Sequence, residues 1–126
     1  MDWKLELISL PVADPDRSIG FYRDQVGFNL DHDHTVDENI RFVQMTPSGS
    51  GCSIAFGKGM VDEAHGPIQT LQMVVADIEA AHAHLHKGGV VVSEIDDQAW
   101  GSFVFFADPD GNAWAVQQIV PRTAPG

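Results

Sequence analysis

The chain is poor in cysteine, in basic residues and in long apolar runs, and each shortage removes a class of protein. A single cysteine, Cys52, among 126 residues excludes an internal disulfide framework and makes a reducing, cytoplasmic setting the expectation. Cys52 stands in the apolar run Cys52-Ser53-Ile54-Ala55-Phe56, which predicts a buried, inert thiol rather than a nucleophile. Only 7 Lys and Arg stand against 18 Asp and Glu, a net charge of −11. Phosphate backbones are bound through basic patches, so nucleic acid is excluded as a partner. No stretch approaches the roughly 20 apolar residues of a membrane span, so no membrane partner is expected. The opening Met1-Asp2-Trp3-Lys4-Leu5-Glu6 has neither the basic region nor the apolar stretch of a secretory signal, which agrees with a cytoplasmic location. The acidity has two readings: a well-solvated surface, or a negative cleft that attracts a cationic small molecule.

What the chain does have is a repeat. Val12-Ala13-Asp14 returns as Val75-Ala76-Asp77, each time after an apolar run and before a helical pattern. Internal repetition of this kind means one supersecondary unit used twice. In the first copy a strand over 5–12 is followed by Asp14 as N-cap and Pro15 at the first helical position. Ile19, Tyr22 and Val26 then recur at helical spacing, and Gly27 stops the helix. Strands are predicted over 28–35, Ile40–Thr46 and 52–57, separated by turn-forming residues. A Gly-rich polar linker over 58–68 is expected to be the most mobile stretch. The second copy runs strand 69–75, Asp77 as N-cap, a buried stripe of Ile78, Ala81 and Leu85, and Gly88-Gly89 as the stop. Three strands follow over 90–95, Gly101–Ala107 and 113–119. Asp108-Pro109-Asp110-Gly111-Asn112 joins the last two, with Pro109 presetting φ and Gly111 taking a positive φ. The tail 121–126 is expected to fray.

Two βαβββ units carrying Val12-Ala13-Asp14-Pro15 through Phe21-Tyr22 and Val26-Gly27-Phe28, then Val75-Ala76-Asp77 through Gly88-Gly89 and Phe106-Ala107-Asp108-Pro109-Asp110-Gly111-Asn112, resemble the vicinal oxygen chelate superfamily of glyoxalases, bleomycin-resistance proteins and extradiol dioxygenases. The resemblance implies an α+β fold, two βαβββ modules of mixed sheet forming a half-barrel-like cavity. It sets one domain over 1–126: module one 4–57, linker 58–68, module two 69–120 and tail 121–126. A homodimer is expected from it. It also implies where a divalent metal would be held in the family's enzymes. Counted from the two capping aspartates, the first-strand ligand positions are Leu7 and Thr70. Counted from Gly111, the last-strand position is Ala115, with the matching position of module one near Ala55. None of these side chains is a metal ligand of useful strength, so no metal and no other cofactor is expected. A divalent metal enters only if the register is misjudged by two positions, which would bring Ser9, Gln72 and Gln117 to the same faces.

The residues expected to meet a ligand are Leu7, Ser9, Gln72, Trp100, Phe103, Phe105, Ala115 and Gln117. Phe103 and Phe105 share a strand face, and the small Ala113 and Ala115 leave room where a metal cage would otherwise stand. His32 and His34 share the face of their strand opposite Asp31 and Asp33 and are the candidates for a catalytic general base. They fit a pocket or an exposed edge strand. Arg41 and Gln44 fall on opposite faces. His82 and His86 lie one helical turn apart and His65 lies in the linker, all read as solvated; Glu94 is read the same way. The function expected is metal-free binding of a small organic molecule, cationic or aromatic, in the manner of bleomycin-resistance proteins. The alternative is a glyoxalase- or dioxygenase-like enzyme with non-standard metal ligands or a histidine base.

Overall fold

Two aspartates start the two helices. In the computed structural model, which describes residues 1–60 and 66–120, Asp14 Oδ1 accepts the backbone N–H groups of Asp16 and Arg17 at 3.1 and 3.3 Å. Asp77 Oδ1 does the same for Glu79 and Ala80 at 3.0 and 3.1 Å. Such caps satisfy donors that the first helical turn leaves without partners. Helix α1 (Pro15–Ile19) runs without a break into a π-type segment, Gly20–Val26. The wider turn lets the adjacent Phe21 and Tyr22 both be buried, which an α spacing of Ile19, Tyr22 and Val26 alone does not foresee. Gly27 ends it at φ 101°. The expectations for the centre of the linker, His65 included, and for the tail 121–126 lie outside the described residues.

The chain forms two compact units, Met1–Pro67 and Ile68–Gly126. In the first, strands β1 (Leu7–Ser9), β2 (Asn29–Asp37), β3 (Ile40–Thr46) and β4 (Ser53–Lys58) form a sheet in the order β1-β4-β3-β2. In the second, β5 (Leu71–Val74), β6 (Asp96–Gln98), β7 (Gly101–Ala107) and β8 (Ala113–Gln118) form the order β5-β8-β7-β6, with helix α2 (Ile78–Lys87) between β5 and β6. The pairs β1·β4 and β5·β8 are parallel and the others antiparallel, so both sheets are mixed, as expected.

Each sheet puts an apolar face against its helical segment. In the first unit Val43, Met45, Ile54 and Phe56 are buried, and Tyr22 stacks on Phe28 at 5.3 Å and leans on Phe56 at 6.0 Å. In the second, Phe106 stacks on Trp114 at 6.1 Å beside Val104 and Val116, with Ile78 and Leu85 of α2 buried. Each such side chain contributes about 1.5–3 kcal/mol by leaving water.

Three boundaries depart from the sequence reading. The first strand of each unit is shorter than expected, and no strand occupies 90–95; the edge strand is Asp96–Gln98 instead. Val90 is buried and Val91 exposed, but Ser93 takes over the ladder. Its N–H donates to the Phe105 carbonyl at 2.9 Å, and its Oγ accepts the Phe105 N–H at 2.9 Å. A β-branched run suggested a strand where a side chain substitutes for backbone pairing, while two aspartates, rare in strands, form one by accepting from Ser102 Oγ through Asp97 at 2.5 Å. Cys52 is half-buried rather than buried and contacts the Ser53 carbonyl at 3.6 Å.

The Asp108–Asn112 turn is more than a reversal. Asp108 Oδ1 accepts from Asp110 N and Asn112 N, each at 2.9 Å, and Oδ2 accepts from Asn112 Nδ2 at 2.8 Å. Asn112 Oδ1 in turn accepts the Ile68 N–H at 2.8 Å, fixing the start of the unit to its last strand. Both side chains are buried. Asn112→Ala leaves an N–H and a carboxylate short of partners and is expected to cost about 2–3 kcal/mol in urea unfolding.

Arg41 performs the corresponding task in the first unit. Its guanidinium pairs with both oxygens of Asp33 at 2.9 Å and with Asp16 at 2.9 Å, joining β3, β2 and α1. The bond to Arg41 holds the Asp33 carboxyl below the usual aspartate range, and the Arg41 guanidinium is raised in turn. A depressed folded-state value gives stability that is complete above the unfolded value of about 4 and is lost as pH falls through the folded one. Arg41→Met is therefore expected to lower stability by about 1 kcal/mol at neutral pH, and the gap is expected to close on acidification below pH 4. Unfolding both proteins in steps of falling pH checks this; a gap that stays constant would rule out the ion pair as its source.

Candidate functional site

Because the helix covers one face of each sheet, the alternate residues of every strand are turned to the other face. In the second unit that face carries Gln72, Phe103, Phe105, Ala115 and Gln117. The register aligns Gln72 with Ala115, Ala115 with Phe105, and Gln117 with Phe103. Phe103 and Phe105 stack with ring centroids 6.0 Å apart and 3° between planes. Two depressions adjoin at Phe105. One, of about 380 Å³, is lined by Thr70, Gln72, Phe105, Ala113, Trp114 and Ala115 among others. The other, of about 370 Å³, is lined by Asp96, Gln98, Trp100, Phe103 and Phe105. Both volumes fall in the range that holds small organic ligands.

A chain of amides spans this face. Gln117 Nε2 donates to the Trp100 carbonyl at 3.0 Å, and Gln117 Oε1 accepts from Gln72 Nε2 at 2.6 Å. Gly101 makes the first bond possible. It adopts φ 152°, and a Cβ there would meet Gln117 Nε2 and the Gln118 carbonyl at 2.7 Å each. Trp100 itself sits at the tip of the β6–β7 hairpin, largely exposed.

Leu7, Ser9, His32 and His34 belong to the first unit and share one sheet face there. Leu7 and Ser9 register with Ser53 and Ala55, and His32 with Gln44. The two imidazoles are exposed and stack at 5.8 Å. No hydrogen bond within the described residues holds either ring, whereas a general base is ordinarily oriented by a third group. A bulge between Leu30 and His32 corrects the expected alternation. Asp31 is freed from the ladder, and its carboxylate accepts from Thr46 Oγ1 and, at 2.7 Å, from Asn29 Nδ2. Thr46 Oγ1 lies 2.6 Å from Ser53 Oγ, to which Gln44 Nε2 donates at 3.3 Å. The donors thus run from Gln44 through Ser53 and Thr46 to Asp31, on the face of His32 and His34. Arg41 is turned the other way, to Asp33 and Asp16, as alternation predicts.

The positions implied for metal ligands do not fit a divalent ion. Thr70 and Ala115 line the first depression, Ala55 is buried, and Leu7 registers with Ser53. One hydroxyl, two methyls and an isobutyl group supply no ligand set. Among the described residues no group of three or more His, Cys, Asp or Glu is arranged to hold a metal. His82 and His86 do stack on one face of α2, at 6.3 Å. Glu94 is exposed and lies outside both depressions.

Asp96 and Gln98, which line the second depression, went unnoticed in the sequence because the edge strand was expected six residues earlier. The two-residue Ala99-Trp100 loop is closed by the pair Gln98 and Gly101, but neither loop residue is a turn former and neither takes a positive φ, so the hairpin has no turn signal of the usual kind in the sequence. No helix among the described residues is long and apolar enough to cross a membrane.

Comparison with known proteins places residues 4–116 in a match to the model of the Glyoxalase/Bleomycin resistance protein/Dioxygenase superfamily. Among solved structures, TnmS3, an antibiotic binding protein from Streptomyces sp. CB03234, is 29% identical with a TM-score of 0.80, covering 94% of this chain and 97% of that one. A glyoxalase/bleomycin resistance protein from the same organism is 31% identical with a TM-score of 0.76, covering 91% and 100%. YetH of Bacillus subtilis (strain 168), described as uncharacterised, is 23% identical over 113 residues, 88% of this chain and 94% of that protein.

The role of Gly101 is testable without a ligand. Gly101→Ala is expected to destabilise the protein by about 1–3 kcal/mol, through its φ and the displaced amide, and to shift the Gln117 side-chain amide signals in NMR spectra. Gly51→Ala, where a Cβ would meet nothing within 4 Å, is the control and should stay within about 0.5 kcal/mol of the parent.

Proposed function

Because the chain belongs to the glyoxalase/bleomycin resistance/dioxygenase superfamily, we propose that it binds a small aromatic organic molecule without the help of a metal, against the Phe105 wall of its second unit. The observation that carries this reading is the make-up of the first depression. Thr70 and Ala115 stand where the family's enzymes would place metal ligands, and the space they leave is walled by Phe105, the Trp114 ring being buried against Phe106 on the other face. A flat aromatic ligand gains both area burial and ring stacking there, the stacking alone worth about 0.5–1.5 kcal/mol. The likeness to an antibiotic binding protein supports binding over turnover as the role of this face. The homodimer and the cytoplasmic setting expected from the sequence belong to the same reading.

The test is a thermal-shift and fluorescence screen of two- and three-ring aromatic compounds, with aliphatic compounds of equal volume as controls. A true ligand at 100 times its Kd should stabilise the protein by about 2.7 kcal/mol. Phe105→Ala is expected to weaken binding about tenfold while the unfolding transition stays cooperative. Equal shifts with the aliphatic set, or near-stoichiometric metal retained by dialysed protein and needed for binding, would sink the proposal.

A further inference from the structure

Resting on that reading, the geometry points to Gln72 as the residue that sets the ligand's polarity: the site selects an aromatic molecule that offers N–H or O–H donors, and it selects against one that offers acceptors. The argument starts at the Trp100 carbonyl. A carbonyl can only accept, so the Gln117 group that meets it at 3.0 Å must be the N–H side of its amide. That choice turns Gln117 Oε1 toward Gln72. An oxygen without a hydrogen can only accept, so the Gln72 group 2.6 Å away must be Nε2. Gln72 Oε1 is thereby left as the end of the relay that no group among the described residues engages, on a residue lining the first depression. The order of donors is fixed from outside the depression, by backbone, and not by any ligand.

The second depression has the same bias. Gln98 Nε2 donates to Asp96 Oδ1 at 2.8 Å, so the free end of Gln98 is again its oxygen, beside a carboxylate. The donors left over, one N–H on each amide, the Trp100 indole N–H and the Thr70 hydroxyl (which also accepts), are fewer than the free lone pairs of two amide oxygens and a carboxylate. Phe105 separates the two depressions and presents a π face, itself a weak acceptor. A ligand lying on Phe105 with donors on its edge meets acceptors on both sides; one with acceptors on its edge finds no such partners and covers those lone pairs without replacing their water.

In this scheme Gln117 and Gly101 are positioning residues, acting through Gln72. Neither needs to touch the ligand. Breaking the Trp100 bond frees both amides to rotate, and the preference is lost even though the aromatic wall remains.

The test uses three dyes of one shape. Proflavine is a flat cation with four exocyclic N–H donors; acridine orange is the same cation with those donors methylated; 9-anthracenecarboxylate is a three-ring anion offering acceptors only. Fluorescence titration in 150 mM salt, which screens the general attraction of an acidic protein for cations, is expected to rank proflavine at least tenfold tighter than acridine orange, with the anthracene anion weakest. Gln72→Leu should bring proflavine and acridine orange within about twofold of each other. Gln72→Lys should reverse the order of proflavine and the anion, an outcome that loss of structure does not produce. Gln117→Leu should relax the preference as Gln72→Leu does, with cooperative unfolding retained in each variant. Equal affinity for proflavine and acridine orange, or a preference that survives Gln72→Leu, overturns the assignment and leaves the aromatic-binding reading intact. Failure of all three dyes to bind removes both.

Discussion

Parallel pairing between the first and last strand of each unit is the constraint on which the rest depends. Parallel neighbours cannot be joined by a tight turn, and here the first and second strands lie at opposite edges of their sheet. The connection that carries the helix must therefore cross the whole sheet, and it can do so on one face only. The packed apolar core of each sheet then goes to that face: Val43, Met45, Ile54 and Phe56 in one unit, Val104, Phe106, Trp114 and Val116 in the other. The residues between them have no choice but the opposite face. The face opposite the helix is thus a by-product of topology, and it is this face that the proposed binding reading uses.

That face must also accommodate polar groups. Each unit solves this by closing its polar side chains on one another. In the second, the Trp100 carbonyl, Gln117 and Gln72 are joined in series; in the first, Gln44, Ser53, Thr46 and Asp31 are. The two series differ in how they end. Asp31 closes its series with an anion that accepts from two side chains, so the direction of every proton is set from that end. Gln72 ends its series with an amide oxygen, and the direction is set from the far end by a backbone carbonyl. Fixed orientation before binding removes a cost that a freely rotating amide would bear on association.

How far the sequence could show this varies with the range of the interaction. The caps at Asp14 and Asp77, the stop at Gly27 and the strands Ile40–Thr46 and Gly101–Ala107 are local, and residue type with spacing was enough to find them. Alternation alone put Phe103 and Phe105 on one face and separated Arg41 from Gln44. Two of the departures are places where a side chain intervenes in the ladder. Ser93 occupies the ladder beside Phe105, so 90–95 does not pair as a strand; Asp31 leaves the ladder for Thr46 at a bulge. Neither event has a local signature, because each depends on a group ten or more residues away. The polarity of Gln72 is hidden for the same reason: its orientation is decided by Trp100, through Gln117, across three strands.

The positions that the family resemblance implies for metal ligands acquire a different meaning in this light. A carboxylate at position 115 would stand directly opposite Phe105 and beside Gln72 in the register. It would fill the space between them and, without a cation, leave a charge against an aromatic ring. Alanine does neither, and Thr70 adds only a hydroxyl that can turn to suit its neighbour. A metal centre binds through Lewis acidity at one point, whereas this face has aromatic area on Phe103 and Phe105 and a direction fixed at Gln72. In the proposed binding mode those two properties act on different parts of a ligand, its ring and its edge. Under that proposal stacking would govern how strongly a flat molecule is held and the amide which flat molecule it is, so a substitution that alters one should leave the other in place.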